Sequence, residues 1–436
     1  MTEDAPRRRP RWPWWTAPAV VLVLLACGLP VALLAGAADR DTDRPAAAHP
    51  AAGRAAPSDP VTPAGQADPA GRAALVGRQL AGQLDRQAAA LLRGDRTGFL
   101  AIADRSVRSD LARRYSALRA LRVTVWRAES EGPPVAVGGQ PGRWRQPVTF
   151  RYCLVVPDCR PDPVRVQTRW RESGDTLVLA AVEESRAGRT GPRPWEVSEL
   201  VTAVGPRTVV ATTPAYRGRL PELLTAAEAS AQVADRYAVA GPPPDRYRVF
   251  YAGRAEWTRW YGGGRPRWTA GYAVTVGDGR HEVVLNAAAL TTGGPGELLR
   301  HELTHAASLP GGGYSGGRTW WLVEGLAEYA AADHTPVDRY EGLDEVHRFV
   351  TGGWDGRLAG LAPADDAPAD RAGAAYGIGY LAVRHLVDRY GEQRMLDFFR
   401  AVLPGGRTVE EASVQVFGEP WQPLHDECVD YVRTRT

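Results

Sequence analysis

The spacing of apolar residues changes from helical to strand-like within residues 72–190. Apolar side chains recur at helical intervals over 73–94, and a second helical stretch covers about 109–121. Four runs of alternating, often β-branched residues follow: LRVTVWRAE, PVTFRYCLVV, PVRVQTRW and DTLVLAAVEE. The pattern therefore predicts an α+β domain in which helices precede an antiparallel sheet.

A second domain is predicted over residues 195–436, where strands and helices first alternate and helices then take over. RTVVATT and DRYRVFYAG have the character of strands, and LPELLTAAEASAQVADRYAV has an apolar face at helical spacing. AGYAVTVGDGRHEVVLNAA predicts a hairpin closed by Gly-Asp-Gly. Beyond about residue 337 the apolar spacing is helical, as in YGIGYLAVRHLVDRYG. This domain is also expected to be α+β.

An uncharged, mostly apolar run from 16 to 38 precedes both domains. At about 1.5 Å per residue, a helix of this length crosses a hydrocarbon core of about 30 Å. Clustered arginines within residues 1–15 place that segment in the cytoplasm. The interpretation we favour is a single-pass transmembrane anchor. A cleaved signal peptide is the alternative, with the small residues 35–38 as its cleavage region. Both interpretations export the rest of the chain, to the cell membrane or into the medium.

Residues 39–71 contain Pro, Ala and Asp with almost no large apolar side chains. Such a segment cannot bury enough surface to offset its ordering entropy, so a disordered tether is predicted.

The formal net charge of the 436 residues is only +3, which gives no indication of a nucleic-acid partner. No C-x-x-C pair is present. Cys153 and Cys159 flank a Pro-Asp turn and could form a disulfide in an oxidising exterior.

Two histidines lie four residues apart in the stretch LLRHELTHAASL, residues 298–309. On a helix this spacing places His301 and His305 on the same face, one turn apart. Both imidazoles can then reach one Zn²⁺, and Glu302 beside them can accept a proton from water. The stretch matches the motif H-E-x-x-H and predicts a catalytic zinc site. The alternative is a surface helix with two solvated histidines.

The sequence after His305 offers a third ligand. A metzincin would need a glycine and a histidine where this chain has Ser308 and Gly311, so that class is excluded. A glycine-rich turn over 311–317 leads instead into a helix with Glu324, which eighteen residues separate from His305. If this helix returns beside the first, it completes a site of two histidines and one glutamate with an open position for water.

HExxH followed after eighteen residues by glutamate, in the context WLVEGLAEY, resembles the gluzincin superfamily. Over about residues 205–436 the chain is similar to zinc aminopeptidases and closest to the peptidase-MA-like branch. The resemblance implies a thermolysin- or aminopeptidase-like catalytic domain of the α+β class. It also implies that Glu328, one helical turn after the third ligand, holds the distal ring nitrogen of the first histidine.

The same resemblance implies a tyrosine, in a Y-x-x-G setting, that donates a hydrogen bond to the developing oxyanion. Tyr376 and Gly379 match this setting, with Tyr380 as the alternative donor. We find no glycine-rich exopeptidase signature upstream, so recognition of a substrate's N-terminal amine is unsupported. In zincins the strand before the zinc helix is an edge strand that pairs with substrate, and we expect HEVVLNAAAL, residues 281–290, to be that strand.

Residues 72–190 resemble the nuclear-transport-factor-like cone fold, in which helices are followed by a curved antiparallel sheet. This resemblance rests on the pattern of elements, with no single motif to anchor it. The fold often encloses a pocket, but no catalytic group of residues stands out in this part of the sequence. A spacer or an interaction module is therefore the expected role.

The leading hypothesis is a membrane-anchored, extracytoplasmic zinc metallopeptidase that acts on peptide or protein substrates. In this hypothesis the zinc ligands are His301, His305 and Glu324. Glu302 is the general base, and Tyr376 stabilises the oxyanion. Two alternatives stay open: a non-catalytic gluzincin-derived module that binds a peptide or cell-wall component, and a zinc hydrolase of a non-peptide substrate.

Overall fold

The computed structural model describes residues 20–21, 69–186, 191–277, 279–290, 294–311 and 317–436. The predicted cytoplasmic segment 1–15, and most of the predicted anchor 16–38 and tether 39–71, lie outside these ranges. Val20–Val21 form a short strand, β1, where a helix was predicted. The first helix begins at Pro69, so the tether ends earlier than predicted. Proline suits a first helical position because its missing N–H would have no partner there. Among the described residues, no helix combines the length and apolar character needed to cross a membrane.

Three helices and an antiparallel sheet follow in the predicted order. The helices are α1 (Pro69–Arg93), α2 (Arg96–Leu100) and α3 (Arg108–Ala120), and the strands are β2 (Val123–Ser130), β3 (Val135–Ala136), β4 (Arg143–Leu154), β5 (Asp162–Ser173) and β6 (Thr176–Val182). The long strands pair in the order β2-β4-β5-β6, and β3 pairs with β4. The disulfide Cys153–Cys159 closes the turn between β4 and β5.

The interior between these helices and this sheet is filled by side chains. A cavity of about 20 Å³ remains among residues that include Trp126, Phe150 and Trp195. Such a volume accommodates about one water molecule, which is far too small for a ligand.

In the described part of the chain, the second sheet contains six strands in the order β1-β10-β11-β9-β8-β7. Its remaining strands are β7 (Val201–Val204), β8 (Thr208–Thr212), β9 (Tyr247–Ala252), β10 (Thr269–Gly277) and β11 (Arg280–Asn286). β8, β9 and β11 are parallel neighbours, whereas β7 runs antiparallel to β8 and β10 runs antiparallel to β11. The β10–β11 hairpin agrees with the prediction from the Gly-Asp-Gly sequence.

Residues 281–290 are not the edge strand that we expected. β11 pairs antiparallel with β10 on one side and parallel with β9 on the other, so both of its edges are used. β10 is outermost in the hairpin, and of the residues that the structure describes only Val20–Val21 lie beyond it, parallel to Thr269 and Gly271. A hairpin sequence does not specify which of its two strands faces the rest of the sheet, and this caused the error.

Helices cover one face of the second sheet and continue into a helical C-terminal region. The described α-helices after the first sheet are α4 (Pro194–Val197), α5 (Leu220–Ala234), α6 (Arg254–Arg259), α7 (Gly296–Ser308), α8 (Trp320–Ala332), α9 (Leu343–Thr351), α10 (Ala369–Tyr390), α11 (Glu392–Val402), α12 (Val409–Phe417) and α13 (Trp421–Arg435). Apolar side chains of α5 and α7 pack on the sheet. α8 and α10 anchor a separate core with α11 to α13. The whole chain is thus of mixed α+β class.

The opposite face of the second sheet packs against the first sheet, around a buried group of charges. Arg248 of β9 donates to Asp162 of β5 at 2.6 Å and to Glu282 of β11 at 3.0 Å. Tyr261 donates to the other carboxylate oxygen of Glu282. Arg193 lies over the Tyr261 ring, 5.8 Å from its centroid. We call these five residues the arginine cluster; it joins the two sheets.

Candidate metal centre

Helix α7 carries the two motif histidines into the interior. Leu299 and Leu303, both 0% exposed, pack this helix against the second sheet. His301 and His305, one turn apart, are 2% and 0% exposed, and their Nε2 atoms lie 3.0 Å from each other. Two imidazole nitrogens therefore point at one position, as the four-residue spacing predicted.

Glu324 of α8 reaches the same position. Its Oε2 atom lies 3.3 Å from Nε2 of His301 and 3.1 Å from Nε2 of His305. Four ligands held about 2.0–2.1 Å from a tetrahedral zinc would lie about 3.3 Å from one another. The three observed separations are close to that edge length, and the nitrogen and oxygen donors are of the type that zinc prefers. The residues present therefore fit a zinc ion.

Burial and neighbouring charges perturb the pKa values of all three side chains. Burial would lower the pKa of His301, but hydrogen bonds and the charges of Glu324 and Glu328 raise it to about 10. Burial lowers the pKa of His305 despite the charge of Glu324. Burial would raise the pKa of Glu324, but both histidines hold it below its ordinary value. A carboxylate with histidine neighbours is thus kept ionised in the interior, as a metal ligand must be.

Glu302 projects from α7 towards the outermost long strand of the sheet. It is 0% exposed, and neither carboxylate oxygen has a hydrogen-bond partner among the described residues. Burial raises its pKa well above the ordinary value; His301 opposes this shift, and the charges of Glu324 and Glu328 add to it. Gly271 of β10 makes room for the carboxylate, because a Cβ there would lie 2.4 Å from Oε1. A buried acid without a partner is costly, which is typical of a group kept for chemistry.

Glu328 lies behind the first histidine, as the gluzincin resemblance implied. Its Oε1 atom is 2.9 Å from Nδ1 of His301, on the side of the ring away from Glu324. Its other oxygen accepts a hydrogen bond from the hydroxyl of Tyr340 at 2.9 Å. Sequence reasoning missed Tyr340, because it lies in the loop between α8 and α9 and no spacing connects it with the motif.

Tyr376 of α10 lies beside the two helices that carry the ligands. Its ring centroid is 6.0 Å from that of His301 and 4.8 Å from that of Trp320, and the residue is 1% exposed. A Cβ on Gly325 of α8 would lie 2.3 Å from the carbonyl oxygen of Gly379, so the helices approach closely only because both residues are glycines. The glycine of Y-x-x-G thus brings Tyr376 to the metal centre.

The alternative donor Tyr380 is directed elsewhere. Its ring stacks on Tyr340 at 4.3 Å between centroids. Trp268, just before β10, completes the aromatic surroundings of Tyr376, with ring centroids 6.3 Å apart. The sequence analysis did not identify Trp268 or Trp320, since neither belongs to a motif.

No family model matches the chain, and no curated protein matches it. Among solved structures it is similar to native yeast LTA4 hydrolase, with 15% identity and a TM-score of 0.34 over 59% of this chain and 42% of that one. It is also similar to an M1 zinc metallopeptidase from Deinococcus radiodurans, with 14% identity and a TM-score of 0.31 over 71% of this chain and 61% of that one. A variant of that peptidase bound to Tyr-Ser-Ala gives 15% identity and a TM-score of 0.33, over 71% and 60%. The chain therefore spans only part of the length of each of these hydrolases.

Proposed function

We propose that this chain is a zinc metallopeptidase, anchored in the membrane by its N-terminal apolar run and acting outside the cytoplasm. One observation carries the catalytic part of the proposal. A buried carboxylate without a partner, that of Glu302, lies next to three convergent donors from His301, His305 and Glu324. A purely structural site would have no reason to bury this acid unpaired.

The zinc ion and the protein side chains would have different roles in peptide hydrolysis. His301, His305 and Glu324 would hold zinc, which lowers the pKa of water and polarises a substrate carbonyl. Glu302 would accept a proton from the attacking water and deliver it to the leaving amine. The Tyr376 phenol would donate a hydrogen bond to the oxyanion that develops at the scissile carbonyl.

A polypeptide substrate is supported by the strand next to Glu302. Among the described residues, only Val20–Val21 pair with the outer edge of β10, at Thr269 and Gly271. In the proposed anchored protein these two residues lie in the membrane segment and leave that edge open. A substrate strand could add to the same edge, with its scissile bond near Gly271 and Glu302. β10 contains no acidic residue that could bind an N-terminal amine. We therefore favour cleavage within peptides over removal of N-terminal residues.

Action outside the cytoplasm is supported by two features of the chain. The basic and apolar pattern of residues 1–38 is typical of an anchor or signal segment. The disulfide Cys153–Cys159 is a bond that persists in oxidising compartments. Protease added to intact cells should therefore degrade most of the chain, and protection in osmotically stable cells would contradict the proposed topology.

The decisive test combines metal content with cleavage of a peptide library and a denatured protein. We expect one zinc per chain, loss of that zinc in Glu324→Ala, and cleavage by the zinc-loaded protein. Glu302→Gln is the matched control, because it preserves shape and all three ligands but cannot accept the proton. Zinc binding without cleavage of any peptide would instead favour a binding module, and hydrolysis restricted to ester or other non-peptide substrates would favour the second alternative.

A further inference from the structure

The two oxygens of Glu328 have different partners on opposite sides. Oε1 lies 2.9 Å from Nδ1 of His301, and Oε2 accepts the hydroxyl hydrogen of Tyr340 at 2.9 Å. Glu328 is 9% exposed, so water offers little competition for either oxygen. The terminal torsion of a glutamate is soft, and a carboxylate with one partner can rotate. The hydrogen bond from Tyr340 prevents this rotation of the Glu328 carboxylate.

Tyr340 is itself held in a fixed position. Its ring stacks on Tyr380 of α10, with centroids 4.3 Å apart and an angle of 23° between the planes. A Cβ on Gly342 would lie 2.7 Å from the ring, and one on Gly377 of α10 would lie 3.3 Å from it. The ring can lie here only because residue 342 is a glycine, and the close approach of Gly377 limits its movement on the side of α10. The direction of the hydroxyl follows from the position of the ring.

We propose that Tyr340 is a positioning residue of the metal centre, which acts on His301 through Glu328. By fixing one carboxylate oxygen, it aims the other at Nδ1 of His301. The ring of His301 is then held with Nε2 turned towards the position that it shares with Nε2 of His305 and Oε2 of Glu324. The proposal rests on the zinc site of the proposed function but not on peptide hydrolysis.

The test is zinc affinity, measured by competition with a chromogenic chelator. Loss of a partner of this kind typically weakens metal binding by about 10- to 100-fold, and we expect Tyr340→Phe to do so. Tyr380→Phe is the matched control. It keeps the aromatic stack and removes a hydroxyl that has no hydrogen-bond partner among the described residues. We expect its zinc affinity to stay within about twofold of the wild type.

A double-mutant cycle separates positioning from a general effect on packing. If Tyr340 acts only through Glu328, Tyr340→Phe should change zinc affinity little once Glu328→Gln is present. Additive effects of the two substitutions would overturn the proposal. So would equal losses in Tyr340→Phe and Tyr380→Phe, or wild-type affinity in Tyr340→Phe. Because peptide cleavage is not measured, a protein that binds zinc but cleaves nothing would refute the proposed peptidase activity and leave this inference intact.

Discussion

Two groups of buried charges lie on opposite faces of the same sheet, and they are balanced in different ways. In the arginine cluster, Arg248 contacts Asp162 and Glu282 directly, and every carboxylate has a cation or a hydroxyl beside it. In the metal centre, Glu302 and Glu324 have no arginine within 4 Å among the described residues. Arginine balances the carboxylates of the first group, whereas in the second group histidines lie beside Glu324 and no described residue pairs with Glu302.

Hydrogen bonding of the buried acids distinguishes a structural site from a functional one. Burial alone does not separate them, since Glu282 is 1% exposed and Glu302 is 0% exposed. Glu282 accepts hydrogen bonds at both oxygens, from Arg248 and Tyr261, but Glu302 accepts none. A fully satisfied acid stabilises the fold, and an unsatisfied one at a metal centre is available to accept a proton.

The largest expected effect is on kcat, and it is tested by replacing one glutamate with glutamine in the metal centre and one in the arginine cluster. Glu302→Gln should lower kcat by about 10²- to 10⁴-fold, the usual contribution of a general base, with zinc content unchanged. Glu282→Gln should leave kcat per folded molecule near the wild-type value and lower stability instead. Steady-state kinetics, zinc analysis and denaturant unfolding of both variants measure these outcomes. Activity retained by Glu302→Gln would remove Glu302 from the mechanism.

Arg248→Met should destabilise the protein strongly without affecting the metal. Removing this cation leaves Asp162 with only the longer contact to Arg280 and Glu282 with only the Tyr261 hydroxyl, and breaking a buried pair in this way costs about 3–5 kcal/mol. Arg169→Met is the control, because the pair of Arg169 with Glu183 is exposed and should contribute less than about 1 kcal/mol. Urea unfolding of both zinc-loaded variants gives the comparison. Equal losses would mean that the arginine cluster is no more important than a surface ion pair.

The convergence of His301 and His305 could be predicted from the sequence and the arginine cluster could not, for a physical reason. His301 and His305 are one helical turn apart, so local spacing alone determines that they share a face. Asp162 and Arg248 are 86 residues apart in different sheets, and nothing in either local sequence marks the pair. In both predicted domains, the spacing of apolar residues predicted most of the strands and helices. The edge position of β10, the start of α1 at Pro69 and the contact of Tyr340 with Glu328 depend on tertiary packing, so local patterns do not contain them.

An intermediate effect is expected for the tyrosine beside His301. Tyr376→Phe should keep its zinc and lose about 100-fold in kcat, or about 2.7 kcal/mol, the lower end of the range for an oxyanion donor. The lower end is expected because zinc still polarises the carbonyl. Tyr380→Phe, with its ring on Tyr340, should be close to wild type. If Tyr380→Phe is the slow variant and Tyr376→Phe is normal, the donor lies one helical turn further along α10.

The smallest expected effect concerns the disulfide near the arginine cluster. Cys153 and Cys159 are six residues apart, and β5 begins with Asp162 just after the bridge. Arg280 donates to the backbone oxygen of Arg160 at 3.0 Å, so this turn is also attached to the β10–β11 hairpin. The bridge therefore restrains the segment that delivers Asp162 to Arg248. Closing so short a loop contributes about 2 kcal/mol in the chain-entropy model.

The double variant Cys153→Ser/Cys159→Ser should accordingly lose about 2 kcal/mol of unfolding free energy, less than Arg248→Met. A reductant should destabilise the wild type by a similar amount and leave the double variant unchanged, which excludes an unspecific effect of the reductant. Zinc content and kcat should be the same in all of these samples, because the bridge lies on the face of the sheet away from the metal centre. If reduction released zinc, the two buried groups would be coupled through the sheet, and the separation between a structural face and a functional face would fail.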